Sequence, residues 1–167
     1  HALVDSSGYQ LLATARDHKR AFDGDEGPNT GGMGAVSPAT NWTKELAAQF
    51  DGQIMQPLLK ALRSEDVRFS GLLFPGLMLT SDGPRVLEFN CRFGDPETQA
   101  ILPRMKSDLV PLLEATIDGT ISSQEILWDQ RPAVTVVLAS GGYPDKYETG
   151  KTITGLAEAA ALEDVQI

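Results

Sequence analysis

The sequence predicts an α+β (α/β) fold, in which helices back an antiparallel sheet and the start of a second domain follows. Residues 71–80 form a continuous apolar run, residues 81–84 have the composition of a turn, and residues 85–91 alternate between apolar and polar side chains. This pattern is typical of an antiparallel strand pair with one strand largely buried. Apolar residues recur at helical spacing within 43–62 and again within 109–117, which predicts the covering helices.

The N-terminal part is predicted to be a hairpin followed by a long loop. Two short apolar runs, 2–5 and 9–13, are joined by Ser6-Ser7-Gly8. Residues 17–34 then carry charges, Gly, Pro and Asn with no apolar period. A structureless segment of this length is usually functional or disordered, and we expect one of the two here.

The helical segments have recognisable ends. Thr43 suits the N-cap of the first, and Pro57 within it predicts either a kink or two abutting helices. Residues 96–102 are predicted to form a short helix with proline in its first turn. Ser107-Asp108 caps a further helix that runs to Gly119.

A change of composition after Gly119 predicts a domain boundary near residue 130, with domains at 1–130 and 131–167. Residues 128–132 resemble a linker, and a β-branched run follows at 133–139. The chain opens without Met, already in strand pattern. We therefore expect a fragment whose second domain is an incomplete beginning.

Charge and cysteine content exclude several function classes. The formal net charge is −9 with no run of Lys and Arg, which argues against nonspecific nucleic-acid binding. One cysteine, Cys91, allows no disulfide within the chain, and no apolar run approaches the roughly 18 residues of a membrane span. We expect a cytoplasmic protein without nucleic-acid or membrane partners.

The strongest site candidate lies on the predicted strand at 85–91. Alternation puts Glu88, Asn90 and Arg92 on one face, about 6.6 Å apart along the strand. Carboxylate and amide oxygens suit a hard divalent cation, and the guanidinium beyond them suits a carboxylate or phosphate. The alternative is the solvated face of an amphipathic strand. Against it, Asn is a poor strand residue, and the strand leads into the acidic exit Gly94-Asp95-Pro96-Glu97.

The opposite side of this strand is predicted to face the core. It carries Leu87, Phe89 and Cys91. We therefore expect Cys91 to be a small buried side chain and not a nucleophile.

A second candidate is the glycine-rich segment 27–34. Clustered glycines let backbone N–H groups approach an anion, although the segment is neither a P-loop nor a dinucleotide fingerprint. A flexible surface loop is the alternative reading. The upstream cluster Asp17-His18-Lys19-Arg20 adds cationic side chains and favours an anion site.

Taken together, these motifs resemble the phosphoribosylamine–glycine ligase (glycinamide ribonucleotide synthetase) family of the ATP-grasp superfamily. The resemblance runs in family order through nearly the whole chain. The segments that carry it are Asp17 to Arg20, Gly27 to Gly34, Glu88 to Gln99, Met105 to Leu109 and Gly141 to Pro144.

The resemblance implies a fragment of an ATP-grasp core and an ATP-dependent carbon–nitrogen ligase. Members of the family join glycine to 5-phosphoribosylamine through a glycyl phosphate, giving glycinamide ribonucleotide, ADP and phosphate in de novo purine synthesis. It implies that Glu88 and Asn90 hold Mg²⁺ or Mn²⁺ with the ATP phosphates, and that Arg92 is catalytic. The implied substrate-binding residues are Lys19, Arg20, Asn29, Thr30, Gly31, Gly32, Gly34, Asp95 and Thr98.

Two departures from the family pattern bear on these expectations. Residues 71–79 carry no carboxylate, so a second metal site is not expected. Large parts of the family's nucleotide cleft have no counterpart in the 167 residues, so we expect the fragment alone to be inactive. The alternative function is a non-catalytic metal–phosphate binding or interaction module of the same fold.

Overall fold

The computed structural model describes every residue from His1 to Ile167, in two compact units at 1–137 and 138–167. The strands are β1 (Ala2–Asp5), β2 (Gly8–Leu11), β3 (Arg16–Asp17), β4 (Arg20–Phe22), β5 (Glu26–Asn29), β6 (Gly34–Ser37), β7 (Gly71–Thr80), β8 (Gly83–Asn90) and β9 (Ala133–Val136). The α-helices are α1 (Lys44–Phe50), α2 (Gln56–Ser64), α3 (Glu97–Ile101), α4 (Leu109–Ile117) and α5 (Leu156–Ala160). The predicted boundary near residue 130 falls just before β9, and β9 pairs within the first unit.

The central feature of the first unit is a four-stranded antiparallel sheet in the order β2-β1-β7-β8. The predicted hairpins β1–β2 and β7–β8 are both present. With the helices that cover the sheet, this confirms the α+β fold class. A three-stranded sheet, β3-β6-β9, and the two-stranded pair β4-β5 complete the unit.

Strand β1 is buried on both faces, and each face belongs to a different core. Ala2 and Val4 pack with α1 and α2 in one apolar cluster, whereas Leu3 packs with α4 in the other. Alternating side chains of a strand point to opposite faces, so β1 joins the two cores. The first cluster comprises Ala2, Val4, Phe50, Ile54, Met55, Leu59 and Leu73, and the second comprises Leu3, Leu12, Ile101, Leu112, Ala115 and Ile121.

The first helical segment consists of two helices joined by a wider turn. The Thr43 side chain accepts a hydrogen bond from the Leu46 amide (3.2 Å), as its predicted N-cap role requires. Residues Asp51–Met55 are π-helical and lead into α2, with Pro57 in its first turn. Proline lacks an N–H donor, which agrees with a break in the α-helical ladder at this point. No helix of the chain is long and apolar enough to cross a bilayer.

The segment 17–34 is more ordered than the sequence suggested. Strands β4 and β5 pair with each other, and β3 pairs with β6. The expectation of a structureless loop was therefore wrong. The short strands carry no apolar alternation because they have little apolar surface to bury, so their pairing leaves no periodic signal.

The prediction that Leu87, Phe89 and Cys91 face the core was also wrong. Leu87 is 64% exposed, Phe89 is 43% exposed, and Cys91 is exposed. Gly76 pairs with Glu88 while the next residue, Leu77, pairs with Val86, so Leu87 is the extra residue of a β-bulge. A bulge breaks the alternation on which the prediction relied, and β8 ends at Asn90, before Cys91.

The second unit, residues 138–167, contains the single short helix α5. Gly155 precedes this helix with φ of 81°, a conformation that suits glycine. The rings of Tyr143 and Tyr147 meet edge to face at 5.5 Å, and Lys151 pairs with Glu148 at 3.1 Å.

Two buried polar side chains tie the first unit together across long sequence distances. Arg104 donates to Ser37 Oγ (2.9 Å) and to the backbone carbonyls of Asp129 (3.1 Å) and Arg131 (2.9 Å). It therefore fixes β6 against the segment that leads into β9. The second side chain, Asp5, links the β1–β2 turn to the amide of Ile121 (2.8 Å).

Asp5 allows a stability prediction with a defined pH dependence. Burial raises its pKa, but hydrogen bonds from the Ser7 hydroxyl and from the amides of Ile121, Ser7 and Gly8 outweigh burial, so the net pKa of Asp5 is lowered. A lowered pKa means that the ionised form stabilises the fold above the unfolded-state pKa of about 3.9, and that this is lost as the pH falls through the folded pKa.

Asp5→Asn should therefore lower the free energy of unfolding by about 2–3 kcal/mol at pH 7, because an amide cannot accept all four bonds and leaves a buried donor unpaired. The deficit should shrink as the pH falls from about 4 towards the lowered pKa of folded Asp5, because the stabilisation from the ionised carboxylate is lost over this range. Urea unfolding at several pH values measures both effects. Asp82→Asn, in the exposed β7–β8 turn, is the control, and an equal deficit at all pH values would contradict the electrostatic account.

Candidate metal and anion site

Glu88 and Asn90 lie side by side near the end of β8, as the alternation predicted. The Asn90 amide donates to Glu88 Oε1 at 3.1 Å. Glu88 is exposed and Asn90 is half-buried. The pair is therefore neither splayed apart nor enclosed in the core, and a ligand can approach it from solvent.

The neighbouring strand leaves room for this pair and supports it. Gly76 of β7 stands opposite Glu88, and a Cβ at this position would lie 3.3 Å from Glu88 Cγ. Phe74 stands opposite Asn90, and its ring stacks on the His1 ring with centroids 4.2 Å apart. A small residue and a stacked ring thus flank the two polar side chains.

The donor atoms of the pair suit a hard divalent cation. Glu88 supplies carboxylate oxygens, and rotating the Asn90 amide by half a turn would bring its oxygen to where its nitrogen now bonds Glu88. The chain contains no group of three or more His, Cys, Asp or Glu side chains arranged to hold a metal. A cation at this pair would take its other ligands from water and phosphate, which is the usual arrangement for Mg²⁺.

The other predicted residues at the end of β8, Arg92, Asp95 and Thr98, follow the pair closely in sequence. Each already forms a hydrogen bond within the chain. Arg92 is exposed and donates to the carbonyl of Phe93 (2.9 Å). Asp95 accepts from the side chain of Gln99 (2.8 Å), and the Thr98 hydroxyl donates to the Gly94 carbonyl (2.6 Å). Of these three residues, Arg92 is therefore the one that presents a cationic group to solvent.

The predicted residues of the glycine-rich segment divide into two groups. Arg20 donates to the Gly27 carbonyl (2.6 Å) and Asn29 pairs with Arg20 across β4 and β5, so both belong to the hairpin. The Thr30 hydroxyl donates to the Lys19 carbonyl (2.8 Å) and accepts from the Gly32 amide (3.0 Å), which closes the loop at the base of that hairpin.

Three glycines of the loop were also predicted to bind substrate. Gly31 is exposed, whereas Gly32 and Gly34 are buried. Gly34 belongs to β6 and pairs with Val136 of β9. Side chains at these two buried positions would meet neighbouring atoms, so their smallness serves packing.

Lys19 is the loop residue whose charge interacts with Glu88 of the Glu88–Asn90 pair. It forms an ion pair with Asp17 at 2.5 Å, and the hydrogen bond to Asp17 is the main reason that its pKa is raised. Charges on Glu97 and Glu88 raise the pKa of Lys19 further. The loop and the exit of β8 are therefore electrostatic neighbours, although they are separated by about 70 residues in sequence.

The sequence reasoning missed two acidic residues of this region, Asp17 and Glu97. Glu97 is 5% exposed, and burial raises its pKa. Asp17 lies at the end of β3, next to Gly32, where a Cβ would be 2.8 Å from Asp17 Oδ1. Both acids stood in the recognised motifs, but nothing in a sequence shows that a carboxylate in a polar loop is buried.

The fold and its likeness to known proteins define the class of this protein. A model of the family described as "Phosphoribosylglycinamide synthetase, ATP-grasp (A) domain" matches residues 1–98. The crystal structure of a phosphoribosylamine–glycine ligase from Thermotoga maritima superposes with a TM-score of 0.71 at 35% identity, covering 88% of this chain and 37% of that one. The class is therefore that of the ATP-grasp proteins.

Sequence relatives agree with the structural match. A phosphoribosylamine–glycine ligase of Halalkalibacterium halodurans is 53% identical over 153 residues, which cover 92% of this chain and 35% of the relative. One from Pseudomonas aeruginosa is 49% identical over 162 residues, covering 96% and 38% respectively. A trifunctional purine biosynthetic protein adenosine-3 of Gallus gallus is 54% identical over 152 residues, covering 90% and 15%.

The chain belongs to the phosphoribosylglycinamide synthetase family of ATP-grasp domains, as the motif resemblance predicted. It spans little more than a third of the length of the two bacterial ligases.

The close contact between Gly32 and the strand exit leads to a test of the site's packing. Gly32 has φ of 135°, and a Cβ there would press against Pro96 and Asp17. Gly32→Ala should lower the free energy of unfolding by about 2–3 kcal/mol, because it adds both backbone strain and overpacking.

Gly52→Ala is the matched control, since a Cβ at this helical position meets nothing within 4 Å. It should be neutral or stabilise the chain by up to about 1 kcal/mol. Guanidinium unfolding of the two variants measures the difference. Equal stabilities would show that the loop and the strand exit do not pack as described.

Proposed function

We propose that this chain is part of an ATP-dependent phosphoribosylamine–glycine ligase and carries the residues that bind its metal ion and phosphate groups. In the proposed reaction the glycine carboxylate attacks the γ-phosphoryl group of ATP, giving glycyl phosphate and ADP. The amine of 5-phosphoribosylamine then attacks the glycyl carbonyl and displaces phosphate, which gives glycinamide ribonucleotide. The names of the bacterial relatives support this activity.

The observation that carries the proposal is the accessible pair Glu88–Asn90 with a lysine ammonium as its electrostatic neighbour. The oxygen atoms of Glu88 and Asn90 would hold Mg²⁺ or Mn²⁺. When bound, such an ion screens the charge of the transferring phosphoryl group. The pairing of β8 with β7 would keep the side chains of Glu88 and Asn90 on one face, where both can bind the same ion.

The chain's other residues would bind and orient the substrates. In our proposal Arg92 is catalytic: its guanidinium neutralises the glycine carboxylate and the acyl phosphate derived from it. The residues proposed to contact glycine and the ribosyl phosphate are Lys19, Arg20, Asn29, Thr30, Gly31, Gly32, Gly34, Asp95 and Thr98. Within this set, Lys19 has the electrostatic link to Glu88 that favours a phosphate-binding role.

The proposal extends to organisation and location. We assign residues 1–130 to the C-terminal part of an ATP-grasp domain and residues 131–167 to the beginning of a further domain. We place the reaction in the cytoplasm, with small-molecule partners and neither nucleic acid nor membrane. The low cysteine content and the acidic net charge support this placement.

Because catalysis needs groups on both sides of the nucleotide, the 167-residue chain alone should show no ligase turnover. The measurement is glycine-dependent ADP release by the purified chain with ATP, Mg²⁺ and freshly generated 5-phosphoribosylamine. Turnover at about 1 s⁻¹ or faster, an ordinary enzyme rate, would contradict the expectation.

Activity itself is tested in a chimaera in which this chain replaces the matched region of the Halalkalibacterium halodurans ligase. Glu88→Ala in the chimaera should lower kcat/KM by about 100-fold or more, because the cation loses its carboxylate ligand. Cys91→Ala should leave activity nearly unchanged. An active chimaera that tolerates Glu88→Ala would exclude the metal role, and an inactive but folded chimaera that binds Mn²⁺ would favour the non-catalytic binding module.

A further inference from the structure

Two buried carboxylates, Asp17 and Glu97, lie between the loop and the strand exit with almost no hydrogen bonds of their own. The Asp17 side chain is 11% exposed, and apart from its ion pair with Lys19 it accepts no hydrogen bond. Glu97 is 95% buried, and its Oε2 atom has no partner. Buried carboxylates with so few partners are costly, so the presence of these two acids calls for an explanation.

The backbone around these acids is shaped to hold them. A Cβ on Gly32 would lie 2.8 Å from Asp17 Oδ1, and a Cβ on Gly94 would lie 3.0 Å from Glu97 Cδ. The Gly94 amide is itself fixed by donating to His1 Nε2 at 2.8 Å. Both acids therefore occupy defined positions that a side chain at either glycine would disturb.

The charge that balances the acids comes from two cationic side chains already placed in the site. Lys19 pairs with Asp17 and interacts with the charge of Glu97, and Arg92 also acts on Glu97. The Lys19 side chain is 57% exposed, so its ammonium touches a buried acid while remaining open to solvent. Its main chain is held as well, because the Lys19 carbonyl accepts from the Thr30 amide (2.7 Å) and hydroxyl (2.8 Å).

We propose that Asp17 and Glu97 are positioning residues that hold the Lys19 ammonium on the solvent-open side of the loop, where it binds a phosphate oxygen of a substrate. The inference rests on the proposed ligase function and adds a role for two residues outside the predicted site. A flexible lysine would lose side-chain entropy on binding phosphate, whereas a lysine already held by a buried acid has lost much of it beforehand.

Both ATP and 5-phosphoribosylamine carry phosphate, and the kinetics of the chimaera distinguish them. Lys19→Met should raise the KM of one of them about tenfold, the loss expected for one charge-assisted hydrogen bond, with the KM of glycine unchanged. Asp17→Asn should raise the same KM by a similar factor, and Glu97→Gln by a smaller one. A change in the KM of ATP assigns the nucleotide phosphate, and a change in that of 5-phosphoribosylamine assigns the ribosyl phosphate.

A double-mutant cycle separates positioning from a purely structural role. If Asp17 acts through Lys19, the variant with both Asp17→Asn and Lys19→Met should be no worse than Lys19→Met alone. Lys19→Arg should retain part of the affinity, because it keeps the charge. Asp82→Asn is the surface control. The proposal would be overturned if the KM effects of Asp17→Asn and Lys19→Met multiplied in the double variant. It would also be overturned if the variants lost thermal stability with every KM unchanged.

A binding measurement keeps the test independent of ligase activity. The 167-residue chain is titrated with inorganic pyrophosphate in the presence of Mn²⁺, and separately with ribose 5-phosphate. Asp17→Asn and Lys19→Met should weaken one of these interactions by about the same factor, near tenfold. Unchanged binding of both probes would overturn the positioning role even if the chimaera is inactive, whereas an inactive chimaera with the expected loss of binding counts against the ligase function alone.

Discussion

The antiparallel pairing of β8 with β7 is the constraint on which the candidate site depends. It fixes Glu88 opposite Gly76 and Asn90 opposite Phe74, and so places both polar side chains on one face at the spacing of alternate strand residues. β7 is in turn held by β1, which is buried on both faces between two apolar cores. The position of the pair therefore derives from the packing of the whole first unit, and not from the local turn.

The bulge at Leu87 has a consequence for this arrangement. It inserts one residue between Val86, which packs against the first core, and Glu88, which faces solvent. Bulges occur often beside functional sites, where they change the direction of a side chain or end a ladder. Here the bulge also leaves Leu87 exposed, and the same strand that carries the polar pair presents apolar surface next to it.

The electrostatics of the region follow from an excess of acid. Asp17, Glu88 and Glu97 all act on the Lys19 ammonium, and burial separates two of these acids from water. Charges interact more strongly in a less polar environment than in water, so the few cationic groups here interact strongly with these acids. An excess of acid attracts a divalent cation and repels free phosphate, so a phosphate is expected to approach such a site together with its cation.

What the sequence determined by itself were the local features: the two hairpins, the Thr43 cap, the alternation that pairs Glu88 with Asn90, and the family motifs. These depend on neighbours within a few residues, where periodicity and turn chemistry act directly. Only the tertiary structure decided that Leu87 and Cys91 are exposed, that the segment 17–34 forms paired strands, and that Asp17 and Glu97 are buried beside Lys19. Those outcomes depend on which segments, distant in sequence, pack against each other. Burial follows from that packing and not from a residue's neighbours in sequence.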